Sequence, residues 1–257
     1  MPLFLCFKKL YNYIQRKEEC YNGKKGFEEK KQFFLETRND YLYYLASIFV
    51  RLKGYQLHII EELEEIKEIT EDKEKKEKIA YSEYVKYQSR LSYLTNYCLN
   101  LVGDAQMTSL SYFKIRKLID KKKNTLDFLK NISEMSKELS YILKRFNSSR
   151  NFSNHIPESI LTSEREMLGD MYNNELFYSQ IIIKTPKYCT IDYLYDLYRE
   201  TKEINDEISE VLKAIKEDYN FIFGKEVNIV HLSDETPRGT DNLNMVAVKK
   251  ASKIHKS

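Results

Sequence analysis

The sequence predicts an all-α fold, an elongated antiparallel helical bundle with a flexible C-terminal tail, on three observations. Apolar residues recur at spacings of three and four over long stretches. Glycine and proline are scarce, seven and four in 257 residues, which leaves few turns for a β sandwich. Charged residues make up 32% of the chain and hydrophobic ones 42%, the balance of long amphipathic helices around a sizeable core.

Taken in order, Leu3, Phe7, Leu10 and Ile14 share one face of a short amphipathic segment that is expected to pack on the bundle. Tyr41, Leu45, Ile48, Leu52, Tyr55 and Ile59, continued by Leu63, Ile66 and Ile69, predict one long helix over about 28–78. Its far end, from Glu61 to Lys78, alternates charge blocks and reads as a solvated face. Tyr84, Tyr87, Leu91, Leu94, Cys98 and Leu101 form a second stripe, ended by Gly103 as a C-terminal cap. The region 105–149 breaks near Lys121-Lys122-Lys123-Asn124, then carries Phe128, Ile132, Met135, Leu139, Ile142 and Phe146. One more step of that stripe reaches Arg150.

Ser163-Glu164-Arg165-Glu166 has the form of a capping box opening a helix to about Lys184, with Thr185-Pro186 as its break. A last helix over about 191–223 carries Leu194, Leu197, Ile204, Ile208, Val211, Ile215 and Ile222 and ends at Gly224. Residues 1–231 therefore read as one bundle. Residues 232–257 lose the stripe and read as a mobile basic tail.

Net charge is +3, but Lys249, Lys250, Lys253 and Lys256 supply four positive charges, leaving 3 − 4 = −1 on residues 1–248. A nucleic-acid partner would therefore need a local cleft, because no global positive field gathers phosphate. Cys6, Cys20, Cys98 and Cys189 are scattered, without zinc-ligand spacing or a disulfide framework, which fits reduced thiols in the cytoplasm. The N-terminal apolar run precedes its charges, unlike a secretory signal, and no run approaches the roughly 20 residues of a membrane span. No stable membrane insertion is expected, and no cofactor. Phosphate loops, Gly-x-Ser-x-Gly, His-Glu-x-x-His and paired Glu-x-x-His motifs are all missing from the sequence.

What stands out is Arg150-Asn151-Phe152-Ser153-Asn154-His155, just before Pro157. An arginine that continues an apolar stripe must pair, meet a subunit interface or line a cavity, since an isolated buried guanidinium is too costly. Arg150 and His155 would diverge by about 140° on an ideal helix, so their convergence needs the helix to bend or end near Pro157, or a second subunit. A second Arg/His pair, Arg51 and His58, has six residues between them but Leu52 after the arginine, so no amide stands beside it.

The stretch resembles the Arg-x(4–6)-His signature of the HEPN superfamily, in which Asn, Asp or His often follows the arginine, as Asn151 does here. The resemblance covers the motif and the helices around it, about residues 80–223. It implies a helical bundle acting as a homodimer, with Arg150, Asn151 and His155 of both subunits meeting in one cleft to cut RNA without a metal. It also implies a toxin or abortive-infection effector, with an antitoxin or regulatory protein as a further partner. Some HEPN proteins carry a tyrosine two residues after the histidine; here that position is Pro157, so regulation through that tyrosine is not expected.

The chemistry agrees with those residue types. When a 2′-hydroxyl attacks the neighbouring phosphorus, a histidine near neutral pKa moves the proton and an arginine holds the added charge of the phosphorane. Asn151 would orient phosphate or imidazole. Two classes of function stay open: an RNA endonuclease, and a noncatalytic helical interaction module in which Ser148-Ser149-Arg150-Asn151 is only a polar helix terminus.

Overall fold

The computed structural model describes residues 35–71, 73–105, 109–154, 161–162, 165–166 and 186–229, with the backbone alone for 151–154. Among them the fold is all-α apart from one two-stranded ribbon.

Helix α1 spans Arg38–Thr70 and starts at a capping box. The Thr37 hydroxyl accepts from the Asp40 amide at 3.2 Å while the Asp40 carboxylate accepts from the Thr37 amide at 2.8 Å, satisfying amides that the first turn leaves open. Every stripe residue read from the sequence between Tyr41 and Ile66 is buried except Tyr55, which is half-buried. The helix ends eight residues short of the predicted 78. At that end the Tyr195 hydroxyl donates to the Thr70 carbonyl at 2.6 Å, taking one of the acceptors a helix terminus exposes. The first part of the predicted helix, 28–34, and the segment 3–14 lie outside the described residues.

In place of the predicted helix end, strand β1 (Lys78–Ala80) pairs antiparallel with β2 (Tyr188–Thr190), Ile79 facing Cys189. The ribbon is extended by bonds from the Tyr81 amide to the Lys187 carbonyl and from the Ile191 amide to the Glu77 carbonyl. It ties the segment after α1 to the start of the last helix, with Ile79 of the ribbon and the following Ile191 both buried.

Helix α2 (Tyr81–Gly103) runs back along α1, with Tyr87 reaching Glu65, Arg90 reaching Glu62, and Tyr97 stacked on Tyr55 at 5.0 Å. Helix α3 (Tyr112–Lys122) is capped by the Ser111 hydroxyl. The stripe from Phe128 to Phe146 does not belong to one helix. A single 3-10 turn (Asp127–Leu129) is followed by Asn131 at φ 66° and an irregular stretch, and α4 (Lys137–Asn154) begins only after Ser136. Asparagine is one of the few residues that tolerate the left-handed region, and one such residue ends a right-handed helix. Ile132 is buried nonetheless, with Phe128 and Met135 half-buried, so that part of the stripe marked core without marking helix. The Ser136 hydroxyl accepts from the Leu139 amide at 3.0 Å and so caps α4.

Helix α5 (Asp192–Phe223) ends as expected, at Gly224 with φ 82°, the left-handed cap that glycine adopts without strain. It packs antiparallel on α1, the most extensive helix pair among the described residues. Arg38 at the start of α1 donates from Nε to the Ile222 carbonyl at 2.6 Å and from Nη2 to the Phe223 carbonyl, placing a cation on the negative end of α5. The core between these helices holds Tyr41, Leu45, Leu52, Ile59, Leu91, Leu194, Ile208 and Val211. Among the described residues no helix is long and apolar enough to cross a membrane. The predicted helix from Ser163 to Lys184 and the tail 232–257 lie outside the described residues, except for 165–166, which are helical.

Candidate functional site

Helices α2 and α4 run antiparallel and approach closely at Gly103. A Cβ built there would lie 2.6 Å from the Asn147 amide nitrogen and 2.7 Å from the Phe146 carbonyl carbon. Gly103 thus serves close helix packing. It is the last residue of α2 and does not take the left-handed cap predicted for it: among described glycines only Gly224 has positive φ. Because the two backbones touch, the last turn of α2 lies beside the last turns of α4.

That crossing decides the surroundings of Arg150, which is 8% exposed. Its Nη2 lies 3.2 Å from Asp104 Oδ2, and its Nε donates to Asn100 Oδ1 at 3.1 Å. Of the three outcomes open to an arginine on an apolar stripe, pairing is therefore realised within the chain. Asp104 follows Gly103 in extended backbone, and its carbonyl accepts from the Ser111 hydroxyl at 2.5 Å, which links the α2–α3 connection to the cap of α3.

A second cation stands near this carboxylate. Burial lowers the pKa of Lys114, and the charge of Asp104 partly restores it. Lys114 Nζ donates to the Ser109 carbonyl at 2.8 Å. Arg150 and Lys114 thus both stand by Asp104 at the α2–α3–α4 junction. Asn100, Asp104 and Lys114 carried no signal in the sequence that set them apart. Their relation to Arg150 is created by the tertiary crossing and not by any local spacing.

Asn151 continues α4 as backbone, its side chain being outside what the structure describes, and His155 lies outside the described residues altogether. Arg150 is thus the one member of the predicted set whose side chain is placed. The other Arg/His pair sits on the exposed side of α1: Arg51 donates to Ser47 at 2.9 Å, and His58 pairs with Glu61 at 2.9 Å with both side chains in solvent. Neither reaches a buried partner, and both lie on the solvent side of α1 and not on the packed stripe where bundle packing would have put them. Among the described residues no group of three or more metal-ligating side chains converges.

Comparison with known proteins returns no matching family model, no matching curated protein and no matching solved structure.

Proposed function

We propose that the chain is a metal-independent RNA endonuclease of HEPN type that works as a toxin or phage-defence effector. The observation that carries the reading is the junction itself. Arg150, the arginine of the Arg150-Asn151…His155 motif, is held at a helix crossing by Asp104 and Asn100 beside a second cation, Lys114. A guanidinium fixed by a carboxylate and an amide spends little conformational entropy on meeting a phosphate. Two cations side by side at one helix crossing are the kind of groups that would meet a phosphate.

In this reading His155 moves the proton of the attacking 2′-hydroxyl, Arg150 stabilises the phosphorane, and Asn151 orients phosphate or imidazole. One motif gives one proton-transfer group, whereas the reaction uses both a base and an acid. A homodimer that brings two motifs together supplies both, through an isologous interface near the end of α4. An antitoxin or regulatory protein would hold the enzyme silent.

The test is incubation of the purified protein with total RNA in EDTA, beside His155→Ala, followed by analysis of the fragment ends. Cleavage that survives chelation and leaves 2′,3′-cyclic phosphate and 5′-hydroxyl ends supports the reading; strict magnesium dependence contradicts it.

One observation favours a second reading, a noncatalytic helical interaction module. Arg150 is nearly fully buried and its charge is met by Asp104, as in a structural ion pair. Under that reading the wild-type protein leaves RNA intact.

A further inference from the structure

Helix α2 carries two tyrosines that the core does not use. Tyr93 is 59% exposed and Tyr97 39%, although the opposite face of the same helix is well packed at Tyr87, Leu91 and Cys98. The exposed rings are held in place all the same. Tyr97 stacks on the half-buried Tyr55 of α1, with centroids 5.0 Å apart and planes 19° from parallel, and Tyr93 meets Tyr97 edge-on at 4.6 Å. The Tyr93 hydroxyl donates to that of Tyr97 at 3.2 Å, which fixes the outer ring as well. A ring that is ordered and still faces solvent is a binding surface set in advance, since little side-chain entropy is left to lose.

These rings lead to the arginine junction. Tyr93, Tyr97 and Asn100 follow at spacings of four and three and so share one face of α2, and Asn100 Oδ1 accepts from Arg150 Nε at 3.1 Å. Along the helix axis Tyr97 lies about 4.5 Å and Tyr93 about 10.5 Å from Asn100. Helix α4 runs antiparallel to α2, so its backbone from Arg150 to Asn154 continues in the direction of the tyrosines. Beyond Tyr93 the face ends at Arg90, whose charge Glu62 balances at 3.1 Å, so ring surface and not charge is what this end offers. One end of the face thus holds cations and the other holds rings, the complements of a nucleotide's phosphate and base.

We propose that Tyr93 and Tyr97 form a stacking subsite for an unpaired base of the RNA whose phosphate meets Arg150. The proposal rests on the RNA reading above and narrows its substrate to a strand whose bases are free to stack. Tyr93 supplies the exposed ring, and Tyr97, backed by Tyr55, holds it. Every base has a π face, so the subsite selects single strands over duplexes and leaves base identity open.

The probe is a short single-stranded 2′-O-methyl oligoribonucleotide of mixed sequence, which lacks the attacking hydroxyl and stays intact. Its binding to the full chain is followed by fluorescence anisotropy in EDTA, beside the same sugar–phosphate backbone without bases. Wild type is expected to bind the base-bearing strand about tenfold more tightly than the abasic one. Tyr93→Ala should weaken the first about tenfold and leave the second within about twofold, whereas Tyr93→Phe, which keeps the ring, should stay within about twofold of wild type on both. Helical circular dichroism should not change, because Tyr93 lies outside the core. No saturable binding by wild type, equal binding of the two strands, or base-bearing binding that Tyr93→Ala leaves untouched overturns the subsite, even where RNA cleavage in EDTA upholds the endonuclease. A Tyr93-dependent preference for bases in a protein that cuts no RNA upholds the subsite and removes the endonuclease. A change in sedimentation on Tyr93→Ala with RNA binding intact marks a protein contact instead and overturns the subsite.

Discussion

Two buried arginines divide the molecule, and they are held differently. Arg150 bonds to Asn100 and Asp104, 50 and 46 residues away, with the pair about a tenth exposed and a second cation close to the carboxylate. Arg116 is bound to Asp218 across 102 residues at 2.6 Å, with side chains 3% and 9% exposed and a tyrosine hydroxyl on the same carboxylate. Burial outweighs even that arginine: desolvation, opposed by Arg116, raises the pKa of Asp218 to about 6. The difference teaches that a buried ion pair which fastens distant helices sits deep and dry. The arginine proposed for chemistry stands slightly nearer the surface, beside a second cation.

The largest effect expected from breaking the comparison is at the dry pair. Asp218→Ala strands the Arg116 guanidinium in the core and should cost about 3–5 kcal/mol in denaturant unfolding. The double variant Arg116→Met with Asp218→Leu should recover most of that loss, because apolar groups of similar volume replace a buried pair well. Full additivity of the two single losses would contradict the pairing.

The same carboxylate sets a pH dependence. Its pKa rises from 3.8 unfolded to about 6 folded, so the native state binds more protons between these values and stability falls as pH climbs through that window. The contribution is on the order of 3 kcal/mol, present at pH 4 and gone above pH 6. Asp218→Asn should remove this slope in unfolding curves taken from pH 4 to 7, while Asp104→Asn should leave it in place.

Smaller effects sharpen the other region. Gly103→Ala forces a Cβ against the α4 backbone and should destabilise by about 1–3 kcal/mol despite the better helix propensity of alanine. Arg51→Ala and His58→Ala, both on the exposed side of α1, should shift stability by less than about 0.5 kcal/mol and leave any cleavage within a few-fold.

The two regions were also unequally legible in the sequence. The stripes of α1, α2 and α5 and the Gly224 cap are local patterns, and they appear where the periodicity put them. Arg150 drew notice because it extended the Ile142–Phe146 stripe. Asp218 offered the same sign, lying between Ile215 and Ile222 on the face begun by Val211, and Arg116 follows Ile115 on α3; neither was singled out in the sequence. The β1–β2 ribbon has three residues on each side, too few for an alternation to register. The break at Asn131 was hidden because buried residues of irregular backbone happened to fall at helical spacing. Asn100, Asp104 and Lys114 were illegible for a different reason: only the close crossing at Gly103 brings them to Arg150.

The most direct measurement of the central claim, that Arg150 is held for chemistry and Arg116 for folding, is Arg150→Lys followed for stability and RNA cleavage in the same preparation. Lysine keeps the charge opposite Asp104 but loses the planar fork that meets a phosphate. The account predicts a loss of no more than about 1–2 kcal/mol in stability, with cleavage in EDTA falling by about 100-fold or more. Cleavage that stays at the wild-type level, or a wild-type protein that never cuts RNA, would contradict it.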